Sequence, residues 1–238
     1  MKKMWFISLI CFLSFLIVLL IAIGFTMLIQ THNASIQAKN DEFVVVLDCG
    51  HGGPDGGAVA ADGTVEKDIN LRLGFQLREL LTSYGYKVVM TRDKDEFICD
   101  DHNASLREQN ISDLHNRLDI AENYPNSIFI SLHMNKFTEE DSWGSQLFYS
   151  PKNKKSEALA ELIRNRLLAD AQKGNDRALK EMDDSVYIIY NATHPALLLE
   201  CGFLSNIKER EKFKNNAYRS KFVYDIFEGI IDFKGANP

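Results

Sequence analysis

The stretch VVVLDCGHGGPDGGAVAADGTVEKD, Val44–Asp68, decides the fold. Phe43–Leu47 is a continuous β-branched and apolar run, which reads as a buried strand cut off by the turn Asp48-Cys49-Gly50. A glycine-rich loop follows and carries His51. From Glu66 the period becomes helical, with Ile69, Leu73, Leu77, Leu80, Leu81 and Tyr84 on one face and Gly85 placed to end the helix. Tyr86–Thr91 is the next strand-like run. Strand, loop, helix and strand in this order make a βαβ unit, so the two strands are expected to be parallel with a right-handed crossover.

Further along, Leu106–Glu122 has helical spacing at Leu114, Leu118 and Ala121, and Ser127–His133 reads as a third buried strand. Gln146–Tyr149 alternates weakly as a fourth strand, and Ser156–Ala171 carries a helical stripe at Leu159, Leu162, Ile163 and Leu167. Tyr187–Tyr190 is a brief strand-like piece and Ala196–Glu200 a clearer one, before helical patterns over Ile207–Asn215 and Arg219–Phe233. The alternation predicts a single three-layer α/β domain over 43–234, its mainly parallel, mixed sheet flanked by helices. Arg92–Asn103, polar and aperiodic, reads as an exposed insertion. No repeat of 20–50 residues is visible, which excludes a solenoid.

Ahead of this domain, no ionisable side chain occurs from Trp5 to Ile29, after a start that holds Lys2 and Lys3. A run of that length can cross a hydrocarbon core of about 30 Å, whereas a signal-peptide apolar region spans about 7–15 residues. Residues 1–30 are therefore expected to form a transmembrane anchor, with a long cleaved signal as the other reading, and 31–42 a linker. The lysines would stay cytoplasmic and the domain would lie outside the membrane. The 238 residues carry 27 Lys+Arg against 33 Asp+Glu, and every acidic residue falls after the apolar run. So acidic a domain is not expected to bind nucleic acid. Of the four cysteines Cys11 lies in the apolar run, leaving Cys49, Cys99 and Cys201, an odd number that implies no disulfide framework.

Ligands of parallel α/β sheets gather beyond the carboxyl ends of the strands. His51 lies just past the first strand, His133 ends the third, Glu200 ends the last, and Glu66 opens the first helix. Two imidazoles and a carboxylate are a usual set for catalytic zinc, and a further carboxylate can carry the proton of a hydrolytic water. Singly, each residue has a plainer reading: a strand-end histidine satisfied by hydrogen bonds, a glutamate favouring a helix start, a glutamate paired with arginine. His32, His102, His115 and His194 read as structural or solvated, and Cys49 and Cys201 as small buried hydrophobes. There is no GxSxG nucleophile elbow, and the glycine loop lacks the GxxxxGK[ST] phosphate form.

DCGHGGPDGGA, EKD at Glu66–Asp68, TR at Thr91–Arg92, SLHMN at Ser131–Asn135 and LLECGFLSN at Leu198–Asn206 together resemble the zinc-dependent N-acetylmuramoyl-L-alanine amidases of bacterial cell walls. The likeness runs from about Phe43 to Phe233 and leans toward the germination-specific, spore-cortex branch. It implies zinc held by His51, Glu66 and His133, with Glu200 as the catalytic carboxylate. The implied substrate is the amide between N-acetylmuramic acid and L-alanine in peptidoglycan; in the spore branch its cleavage precedes muramic lactam formation. Arg92 and Asn135 are expected to touch substrate or support the ligands. Two departures stand out: Cys49 occupies a usual proline position, and Ala60–Asp62 is poor in glycine. Phe137–Ser156 is too short for the inhibitory helix of some relatives, so regulation is expected from an activator protein or metal supply. A carboxypeptidase acting on stem peptides and a lapsed, anchored scaffold are the competing functions.

Overall fold

The computed structural model describes residues 16–31 and 42–237, and the chain separates into two compact units that divide between Glu42 and Phe43. In the first unit, 16–31 is helical with every residue exposed. Half of the expected anchor, 1–15, and most of the expected linker lie outside the described residues. Among those described, no helix is long and apolar enough to cross a membrane.

The second unit is built on a six-stranded sheet of order β2-β1-β3-β6-β4-β5. Its strands are β1 Val44–Cys49, β2 Lys87–Met90, β3 Ser127–Asn135, β4 Gln146–Tyr149, β5 Lys180–Glu181 and β6 Ala196–Phe203. β1 pairs in parallel with β2 and β3, β3 with β6, and β4 with β5, while β4 runs antiparallel to β6. The expected mixed, mainly parallel sheet is present. Its helices are α1 Glu66–Ser83, α2 Leu106–Glu122, α3 Lys155–Ala169, α4 Tyr187–Asn191, α5 Ile207–Lys214 and α6 Asn216–Ala236.

Successive strand residues face opposite sides of the sheet, and both sides are covered, which is why the central strands read as unbroken apolar runs. Val45, Leu47, Ile128, Ile130, Leu132, Leu197 and Leu199 point into a core shared with Leu73 and Leu77 of α1, Ile163 of α3 and Phe222 and Ile226 of α6. Val44, Val46, Phe129 and Leu198 face Leu118 and Ala121 of α2 and Ile188 and Ile189 of α4.

Three local expectations are corrected. β1 continues through Asp48 and Cys49, in register with Ser131 and Leu132, because the Asp48 carboxylate finds donors in Thr91, Ser131 and Arg117 and needs no turn to reach water. Tyr187–Tyr190 is not a strand but the core of the short helix α4, whose apolar Ile188 and Ile189 cap the second core. The stretch after Arg92 is not simply exposed: Arg92, Phe97 and Cys99 are buried.

Candidate metal centre

β1 delivers His51 two residues past its last residue, Cys49, in a left-handed backbone conformation with φ of 63°, which histidine tolerates better than β-branched residues do. The loop then folds back on itself. Glu66 N donates to the Ala58 carbonyl (2.9 Å), and Ala58 N donates to Glu66 Oε2 (2.8 Å), so the helix that carries Glu66 starts against the loop that carries His51. β3, hydrogen-bonded beside β1, brings His133 to the same edge, and Met134 N donates to Glu66 Oε1 (3.0 Å).

The result is one carboxylate between two imidazoles. His51 Nε2 lies 3.2 Å and His133 Nδ1 3.0 Å from Glu66 Oε1. The donor atoms of His51, Glu66 and His133 fall within 4.8 Å of one another, the spacing a single cation requires of three ligands. The outward nitrogen of His51, Nδ1, is 2.7 Å from Asp55 Oδ2, and Asp55 is itself fixed by the Gly57 amide (2.9 Å). A carboxylate on the far side of a histidine sets its tautomer and raises its basicity, the usual support for a metal-ligating imidazole.

The electrostatics agree with a cation site. Burial alone would lower the His51 pKa, but hydrogen bonds to Asp55 and Glu66 overcome it and raise the value to about 10. Burial alone would raise that of Glu66, yet the hydrogen bonds to His133 and His51 hold it far below the carboxylate range. The pocket thus draws positive charge, and a metal ion would occupy the place that protons otherwise take. Glu200 behaves oppositely. Burial pushes its carboxyl up to about 7, with His133 opposing and Glu66 reinforcing the rise, and its Oε2 has no hydrogen-bond partner. Cys49 and Cys201 are buried free thiols; burial pushes Cys49 up to about 12, so neither sulfur offers a thiolate at neutral pH.

A cleft of about 250 Å³ opens beside these groups, lined among others by His51, Asp55, His133, Asn110, Leu114 and Ile188. It is where a carbonyl could approach.

The profile of the N-acetylmuramoyl-L-alanine amidases matches residues 45–232 of the chain. The chain belongs to the N-acetylmuramoyl-L-alanine amidase family. A germination-specific amidase of Bacillus subtilis (strain 168) is 31% identical over 198 residues, covering 82% of this chain and 82% of the relative. The amidase LytC of the same organism is 28% identical, and the match takes in 89% of this chain but 40% of LytC. Among solved structures, the CwlD amidase from Clostridioides difficile, determined in complex with the GerS lipoprotein, superposes with a TM-score of 0.77 and 36% identity over 81% of this chain and 98% of that one. The catalytic domain of CwlV from Bacillus (Paenibacillus) polymyxa var. colistinus gives 0.69 and 29% over 81% and 98%.

As an amidase of this family the chain is an enzyme, one that hydrolyses the bond between N-acetylmuramic acid and L-alanine. Of the four residues singled out in its sequence, His51, Glu66 and His133 cluster beyond β1 and on β3, and Glu200 is the register partner of His133 on β6. Of the two expected supporting residues, Arg92 lies under the His51 loop, whereas the Asn135 amide oxygen accepts from Lys136 N in its own turn. Sequence reasoning missed Asp55 and Arg117. The signal for Asp55 was an acid four residues after His51 in a loop rich in glycine. For Arg117 it was an Asp113–Arg117 pair at helical spacing beside the apolar Leu118.

Proposed function

We propose that this amidase is a zinc hydrolase of spore-cortex peptidoglycan in which His51, Glu66 and His133 hold the ion and Glu200 moves the proton. The observation that carries this reading is the convergence of the three donor residues within 4.8 Å beside the Glu200 carboxyl, whose Oε2 is buried without a hydrogen-bond partner. Zinc held there supplies a water of near-neutral pKa and polarises a carbonyl. Asp55 holds His51 in one tautomer by accepting from Nδ1, which leaves Nε2 free as a ligand. Glu200, its carboxyl raised by burial to about 7, accepts the proton of the attacking water at Oε2 and returns it to the alanine nitrogen as that leaves. The cleft beside α2 and α4 positions the lactyl carbonyl.

The cortex assignment draws on the likeness to the germination-specific amidase of Bacillus subtilis and to CwlD. Because CwlD was solved with a lipoprotein bound, we propose that an accessory protein binds this chain and activates it. The N-terminal apolar run would anchor it to the membrane, with the catalytic domain on the extracytoplasmic side.

Digestion of purified cortex peptidoglycan, followed by mass spectrometry of the muropeptides and metal analysis of the same sample, tests the reading. Intact stem peptides, unsubstituted muramic acid and roughly one zinc per chain are expected. Loss of only a terminal amino acid would instead establish a carboxypeptidase.

A further inference from the structure

We infer that Arg117 is a positioning residue for the metal centre: with Arg92 it clamps the three carbonyls of Cys49, Gly50 and His51 and so fixes the backbone from which the His51 imidazole projects. The inference rests on the metal reading of the site above.

Both arginines are almost wholly buried, at 1% and 2% exposure. From α2, Arg117 Nη1 donates to the Cys49 carbonyl (3.0 Å) and Nη2 to that of His51 (2.9 Å). From the other side, Arg92 Nε donates to Cys49 O (2.7 Å) and Nη2 to Gly50 O (3.1 Å) and Lys67 O (2.9 Å). Two guanidinium groups therefore hold every carbonyl of the turn that leaves β1. A buried cation is tolerable only when paired. Arg117 meets that condition through Asp113 (Nε to Oδ2, 2.6 Å) and Asp48 (Nη1 to Oδ1, 2.7 Å). Burial would raise the Asp48 carboxyl, but Arg117 and the hydroxyl of Ser131 keep it low and ionised.

The clamp matters at His51 because its φ is one that side-chain-bearing residues seldom adopt, and such a conformation persists only where surroundings enforce it. Arg117 Nη2 supplies that enforcement on the carbonyl of the same residue. Lysine cannot substitute, since one ammonium lacks the fork that reaches Asp113, Asp48 and His51 together.

The full chain, stripped of metal, is titrated with zinc against a chromophoric chelator, and visible spectra are recorded after cobalt loading. Arg117→Lys is expected to weaken zinc binding about ten- to hundredfold, the range seen when support behind a ligand is lost, and to alter the cobalt spectrum. Arg164→Lys, which disturbs a guanidinium that holds the Arg177 carbonyl instead, should bind zinc as the wild type does. Wild-type zinc affinity and an unchanged cobalt spectrum in Arg117→Lys would overturn the clamp. If that variant fails to fold, Arg92→Lys carries the same expectation through Cys49 and Gly50, and the same overturning result. A wild type that binds no zinc would remove the metal reading and the clamp with it, so the wild-type titration tells the two failures apart.

Discussion

Glu200 and His133 are register partners on adjacent parallel strands, so their side chains leave the sheet side by side on one face. The carboxyl proposed to carry the proton is thereby fixed by backbone pairing to the strand of a proposed ligand. Glu200→Gln keeps the shape and the metal ligands but removes the proton acceptor. Zinc content should stay at the wild-type level while amide cleavage falls by about 10²- to 10⁴-fold. Normal turnover by this variant would exclude Glu200 from the chemistry.

Two glycines keep room for the ligands. A Cβ on Gly57, where φ is +66°, would lie 2.5 Å from His51 Cδ2 and 2.6 Å from Glu66 Oε2; one on Gly50 would lie 2.2 Å from the His133 ring. Alanine at either position must displace a ligand. Zinc affinity should fall at least tenfold in each variant, as read by chelator competition, with thermal unfolding still cooperative. Unchanged affinity in both would show that the donors seen here are not the ones that bind.

Much of this was legible beforehand because the relevant signals are local. The β-branched run before Asp48, the stripe from Ile69 to Leu81 and the strands that carry His133 and Glu200 announce themselves by periodicity and position, although β3 and β6 run on to Asn135 and Phe203. Apart from Asp55, four residues from its partner His51, what escaped notice depends on pairing across long separations. Lys180–Glu181 carries no apolar pattern and becomes β5 only because β4 offers it an edge. Tyr187–Tyr190 holds four β-favouring residues that become helical on packing beneath α2, tertiary context outweighing propensity. Arg117 resembles any solvated helix arginine until Asp48, sixty-nine positions earlier, is seen against it.

Packing of α1 on β1 yields another test. A Cβ on Gly74 would sit 2.2 Å from Cys49 Sγ. Gly74→Ala gains about 1 kcal/mol of helix propensity but overpacks the core, which costs about 1–3 kcal/mol, so net loss of stability is expected. Adding Cys49→Ala removes the obstructing sulfur. In urea melts the double variant should be more stable than Gly74→Ala alone; simple additivity of the two losses would contradict the contact.

Asp225, on α6, is buried, and burial raises its carboxyl to about 6 although it accepts the Ala171 amide (2.9 Å). A folded pKa above the unfolded value of 3.8 means that the folded chain binds the extra proton. Its contribution is present below the unfolded pKa and lost as pH rises through about 6. Asp225→Asn keeps the acceptor without the charge. It should stabilise the fold by about 1 kcal/mol at pH above 7, after allowance for solvent screening, and have little effect near pH 4. Denaturant midpoints measured across this range would reveal the crossover.

The order in which the chain supplies the site also sets an order in time. His51 and Glu66 are neighbours in sequence, and His133 joins them once β3 has paired with β1. Glu200 arrives only with β6, the last of the site-bearing strands to be made, when it pairs with β3. A chain emerging from N- to C-terminus would therefore assemble the three proposed ion ligands before the proposed proton carrier is in place. Catalytic competence then reports that the last third of the polypeptide has folded.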